Sequence, residues 1–293
     1  MIVTLKSTSA IVQIDSKGAE LISYIDVFGA EYMWQKDPKF WGRCSPLLFP
    51  IVSNLRNDKA FFEGKEYTIP KHGFCRDCEF TTVAQTENTA VFNYTYNEQT
   101  LKVYPYKFSL SLTYTLYESE LTIEYRIVNV DDKPIDYCFG AHPAINIPFN
   151  GNGAFEDYCV EFEQNETADC PVFDMQNRQF DMNNTVRILD NQNRFMLSYD
   201  LFDIDAIVFD KLKSNSVKLY HVKTGRGIEV DFTGFDFVAF WTPAGKKAPF
   251  LCIEPWCGIA ACSDEGDNFA DKRAVKHLEI SATHPYRLVF KPM

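Results

Sequence analysis

Along residues 107–116 apolar and polar positions alternate without a break, with Phe108, Leu110, Leu112, Tyr114 and Leu116 interleaved with Ser109, Ser111, Thr113 and Thr115. This period of two predicts a strand with one buried face. After Glu118 and Ser119 the pattern resumes at Leu121, Ile123, Tyr125 and Ile127, so the two runs read as antiparallel neighbours across a short turn. Shorter runs of the same kind lie at 80–83, 90–96, 159–162, 206–209, 217–221, 228–232 and 237–241. An N-terminal hairpin around Gly18 and Gly29 and a last strand at 287–290 complete an all-β chain, with turn residues spaced as in a large antiparallel β-sandwich. The one helical candidate, 268–276, is short, polar and without an apolar stripe. No repeat or Pro/Gly-rich linker marks a boundary, so residues 1–293 read as a single domain.

Charge narrows the function. The chain has 293 residues, with 29 Lys+Arg against 40 Asp+Glu and a formal charge of −11. That balance argues against nucleic acid or an anionic membrane as partner, since both require a basic footprint. The first residues alternate in polarity and hold no signal-peptide core, and nowhere do about 18 apolar residues run together, so a cytoplasmic location is expected. Nine cysteines, an odd number, sit mostly inside apolar runs such as 137–139 and 251–253 and read as reduced, structural thiols.

Four segments break the alternation: 45–56, 70–77, 140–146 and 252–258. In the last, Glu254 stands among Leu251, Cys252, Ile253, Pro255 and Trp256. Desolvation there pushes a carboxyl toward its protonated form and suits a general base. The same setting equally suits a Glu held by an Arg or backbone amides for structural reasons. His72 and His142, followed by Gly73 and Pro143, are candidate acids because imidazole exchanges protons near neutral pH, although a lone His is more often structural. Asn54 and Arg56 carry donors able to grip hydroxyl or carboxylate oxygens, and Asp205 could accept from hydroxyls or serve as a turn residue. Cys75-x-x-Cys78 has redox or metal spacing but no second pair and no βαβ context, which favours packing. Nucleotide-loop, serine-hydrolase and zincin motifs are absent from the sequence.

Taken in order, Asn54-x-Arg56, Gly64-Lys-Glu-Tyr-Thr-Ile-Pro70, His72-Gly73, His142-Pro143 with Asn146, Asp205 and Glu254-Pro-Trp-x-Gly258 resemble the aldose 1-epimerase (galactose mutarotase) family, in its LacX-like branch. Each piece is short, and the ordered set spans most of the chain. The resemblance implies a β-supersandwich and an isomerase that interconverts the α and β anomers of a free hexose such as glucose or galactose. It places the base on Glu254, the acid on His142, and substrate binding on His72, Arg56, Asn54 and Asp205. The chemistry needs a base at the anomeric hydroxyl and an acid at the ring oxygen, with no cofactor and no metal. The expected partner is a monosaccharide.

Three other readings compete. A hexose-6-phosphate 1-epimerase would need extra cations, for which Arg43, Arg56 and Arg76 are at hand. A non-catalytic carbohydrate-binding or sugar-sensing protein could draw on the 25 Phe, 15 Tyr and 4 Trp as stacking platforms, though most should fill the core. A glycoside hydrolase would need two facing carboxylates, and only Glu254 has an apolar setting.

Overall fold

The computed structural model describes residues 1–149, 151 and 153–293. Its larger sheet has nine antiparallel strands in the order Gln179–Met196, Tyr158–Asp174, Ser216–His221, Gly227–Asp231, Thr283–Pro292, Glu120–Asn129, Phe108–Tyr117, Thr89–Thr95 and Thr81–Gln85. The alternation in 107–127 appears as a hairpin, Phe108–Tyr117 with Glu120–Asn129, whose even-numbered and odd-numbered apolar side chains respectively face the core. A smaller sheet runs Ile207–Asp210, Phe237–Trp241, Phe250–Cys257, Phe139–Ala141 and Leu47–Leu48, with Ala144–Asn146 also paired to Phe250–Cys257.

The two sheets meet through aromatic side chains. Phe139 of the smaller sheet packs at 4.7 Å on Tyr286 and 5.1 Å on Tyr125 of the larger, and Phe240 lies 6.0 Å from Phe162. One buried apolar cluster runs from Val3 to Phe290. A separate three-stranded sheet, Ile2–Lys6, Ala10–Asp15 and Glu20–Asp26, contains the expected N-terminal hairpin, turning at Gly18. All nine cysteines are unbridged, and all but Cys78 are buried.

The structure corrects two elements. Residues 268–276 form no α-helix: a single 3₁₀ turn, Phe269–Asp271, seats Phe269 against Phe62 at 4.5 Å, and the chain then enters the strand Lys276–Leu278. Without an apolar stripe, one anchored phenyl ring fixes the segment better than a helix could. The run at 159–162 is only the start of Tyr158–Asp174, which pairs over a bulged register with the equally long Gln179–Met196. Much of this hairpin is solvated, so its residues lack the alternation that betrays a half-buried strand.

Candidate active site

Strand pairing brings Glu254 and His142 together. On the strand Phe250–Cys257, Trp256 pairs with Gly140 and Cys252 with Ala144. His142-Pro143 is the connection between these two paired strands, so the register continues through it and sets His142 opposite Glu254. Backbone bonds hold the connection: His142 N–H donates to Pro46 O at 3.1 Å and Ile253 N–H to Pro143 O at 3.1 Å. His142 Nε2 lies 3.1 Å from Glu254 Oε2. The approach is off the hydrogen-bond axis, and Glu254 Oε2, His142 Nδ1 and Trp256 Nε1 are buried polar atoms without a hydrogen-bond partner.

Both faces of the Glu254 strand are covered, which is why period two fails there. Leu251, Ile253 and Cys257 enter the main core; Phe250 and Cys252 join Trp34, Ala144 and Ala248 in a second cluster edged by Trp41 and Trp241. Trp41 stacks on the imidazole of His142 at 4.8 Å with 25° between planes, and Trp241 meets the same ring edge-on at 5.6 Å.

His72 arrives on the loop that follows the strand Lys65–Thr68. Its φ of 65° and that of Gly73, 71°, turn the chain sharply back. Ser53 N–H donates to His72 Nδ1 at 3.1 Å, and His72 N–H donates to Ser53 O at 2.6 Å. With Nδ1 accepting, the neutral ring carries its proton on Nε2. Its ring lies 5.4 Å from that of His142. Asp205, also at positive φ, accepts a hydrogen bond from Trp241 Nε1 at 3.0 Å.

These groups line one open cavity of about 150 Å³, together with Arg43, Ser53, Lys71, Arg76, Ala206 and Trp256. A cavity of that size admits about one six-membered ring. Burial pushes Glu254 well above the usual carboxyl range, against the pull of Lys71, and Asp205 adds to the rise. Burial likewise pushes His142 well below the usual imidazole value, assisted by Lys71, and pushes down His72, whose next largest influence is His142. Both groups are thus driven toward their neutral forms.

His142, Cys252 and Glu254 also place possible metal-ligand atoms within 4.8 Å of one another. The Cys252 thiol, however, is held far above its ordinary value by burial and then by Glu254. A metal bound there would have to displace that proton, whereas proton exchange between His142 and Glu254 needs no change at the thiol.

Comparison with known proteins places this geometry in context. Residues 1–271 match the family model described as Aldose 1-epimerase. The plasmid-encoded protein LacX of Lactococcus lactis subsp. lactis is 37% identical over 281 residues, 94% of each chain. The chain belongs to the aldose 1-epimerase family. Among solved structures, the galactose mutarotase related enzyme from Lactobacillus acidophilus superposes with a TM-score of 0.94 at 31% identity, covering 100% of this chain and 97% of that one. A galactose mutarotase-like protein from Lactobacillus casei gives 0.92 at 27% identity over the full length of both. The all-β sandwich is therefore that of the galactose mutarotase-like enzymes.

Four of the six residues expected at the aldose 1-epimerase site, Glu254, His142, His72 and Asp205, line the cavity. Arg56 and Asn54 are not among its lining residues. The Arg56 guanidinium donates to Cys262 O at 3.1 Å and Glu265 O at 2.7 Å and pairs with Asp267 at 3.3 Å. Asn54 is buried and donates from Nδ2 to Arg178 O at 2.6 Å. Both tie separate segments of the chain together. Of the three arginines available for an anion, Arg43 and Arg76 reach the cavity and Arg56 does not. Sequence reading passed over Lys71, Trp41, Trp241 and Trp256. The available signal was that Lys71 precedes His72 in a segment that breaks the alternation, and that Trp256 stands two residues after Glu254 in another.

Proposed function

We propose that the protein interconverts the α and β anomers of a hexose of the glucose or galactose type by acid–base ring opening. The observation that carries this reading is the 3.1 Å approach of His142 Nε2 to Glu254 Oε2 at the buried end of a cavity sized for one ring. Glu254 takes the proton from the anomeric hydroxyl while His142 gives one to the ring oxygen. The hemiacetal opens to the aldehyde, rotates about C1–C2 and recloses on the other face as both transfers reverse.

The competent state is the pair carrying one proton in all. Opening converts the charged arrangement, carboxylate with imidazolium, into the neutral one, carboxylic acid with imidazole. Burial favours the neutral arrangement, so the protein environment assists opening, while Lys71 supports the carboxylate needed to begin. His72 presents Nε2–H and Asp205 a free carboxylate oxygen to sugar hydroxyls, and Trp41 and Trp241 offer apolar faces to the ring.

Anomer exchange measured by NMR on glucose, galactose and their 6-phosphates tests the reading. We expect exchange well above the blank, and Glu254→Gln and His142→Asn each lowering it by about 10²–10⁴, the usual worth of a positioned acid or base. No acceleration on any of these sugars, or full activity in Glu254→Gln, would refute it.

A further inference from the structure

Resting on that reading, we infer that the preferred substrate bears an anionic group, such as a phosphate, remote from the anomeric carbon, received by Lys71, Arg43 and Arg76 at the cavity mouth.

Three cations converge on one small cavity in a chain whose net charge is −11. Recognising sugar hydroxyls does not require them, since neutral donors and acceptors suffice. Nor are they matched by protein carboxylates. Lys71 is exposed and, among the described residues, has no carboxylate within ion-pair distance. Arg43 and Arg76 share a single counter-charge, Asp77, at 3.0 and 3.8 Å. Asp205, in the same lining, is engaged by Trp241 and pairs with none of the three.

The cations are also held close to one another. Arg76 Nη2 donates to the carbonyl of Lys71 at 2.6 Å, while Arg76 Nε is buried without a hydrogen-bond partner. Burial, and then the charge of Arg43, hold the Arg76 guanidinium down to about 10. Crowding like charges with one shared partner costs stability unless an anion arrives to answer them. Their field reaches the reacting pair, because all three depress His142, so the mouth and the Glu254 end belong to one site. An arginine pair with a lysine beside it matches the fork-and-point-charge recognition of phosphate oxygens.

The test compares galactose and glucose with their 6-phosphates and with galacturonate and glucuronate, in two readouts: anomer exchange by NMR, and affinity by quenching of tryptophan fluorescence. An anionic sugar should exceed its neutral parent by about tenfold or more in kcat/KM and in Kd, and the advantage should collapse toward about 1 M salt, where screening acts over about 3 Å. The phosphate and uronate arms tell which anion is read. Lys71→Gln should reduce that advantage about tenfold, and Lys71→Arg should restore most of it. Neutral hexoses handled as well as the charged ones would overturn the inference while leaving anomer exchange standing. Absent exchange on every sugar overturns the proposed activity instead, and the binding preference then still decides the question of charge.

Discussion

At the scale of single residues the proposed activity depends on two groups that burial drives toward their neutral forms. Glu254 is 1% exposed and His142 6%, and their proton affinities move in opposite directions. Activity should therefore follow a bell. Its acid limb marks uptake of a second proton by the pair and lies below the ordinary imidazole range; its alkaline limb marks loss of the last proton and lies well above the ordinary carboxyl range. A pH series of exchange rates checks this, and an acid limb at or above the ordinary imidazole value, near 6.5, would contradict it. The same shifts predict stability. Because Glu254 binds its proton more tightly folded than unfolded, its contribution is complete below the unfolded carboxyl value, near 4.5, and is lost as pH rises through the folded value. His142 and His72 act in the opposite sense: their contribution is present above the ordinary imidazole value and is lost as pH falls. Glu254→Gln removes the first penalty, so thermal melts at pH 8 should show the inactive variant more stable than wild type, by about 0.5–2 kcal/mol.

At the scale of elements, the His72 loop is positioned by backbone against backbone. Gly73 sits at φ 71°, and a Cβ there would fall 2.0 Å from Phe49 O, the carbonyl that accepts from Phe74 N–H at 3.1 Å. Gly73→Ala must therefore strain the backbone and push the loop off its support, at a cost of about 2–5 kcal/mol. Urea denaturation measures the loss, and the displaced loop should also weaken sugar binding, because it carries Lys71, His72 and Arg76. Elements of this kind explain what the sequence made legible. Half-buried strands such as Phe108–Tyr117 show their alternation, and Glu254 is conspicuous as a charge in an apolar run. The residues that carry the cavity walls were harder to find. Trp41 and Trp241 look like core aromatics until both are seen packed on His142, and nothing in Asn54-x-Arg56 shows that Cys262 O and Glu265 O accept from the guanidinium. Such distinctions depend on contacts between residues about 100 to 200 positions apart along the chain.

At the scale of the whole molecule, the proposed acid–base pair and the proposed anion-binding cations stand on different kinds of support. Glu254 and His142 belong to the interior of the smaller sheet, where Phe250–Cys257 is paired on both edges and buried along its whole length. Lys71 and Arg76 sit on the connection between Lys65–Thr68 and Thr81–Gln85, with Arg43 on another loop. Rigid elements hold reacting groups to the tolerance that proton transfer needs, and loops can adjust to the substrate. Hydrogen exchange followed by mass spectrometry should reflect this division. Amides of 250–257 should exchange among the slowest in the protein, at rates near those set by global unfolding, whereas those of 70–78 exchange through local opening. The solvated edge strand Gln179–Met196, paired on one side only, should exchange early. Adding a saturating hexose 6-phosphate should slow exchange in 70–78 and, because binding opposes global unfolding, in 250–257 as well, while the edge strand, which frays without releasing the ligand, keeps its rate. Exchange in 70–78 that stays unchanged on adding the ligand would mean that this segment opens with the sugar phosphate still bound, and the proposed role of the loop in holding the anion would then be wrong.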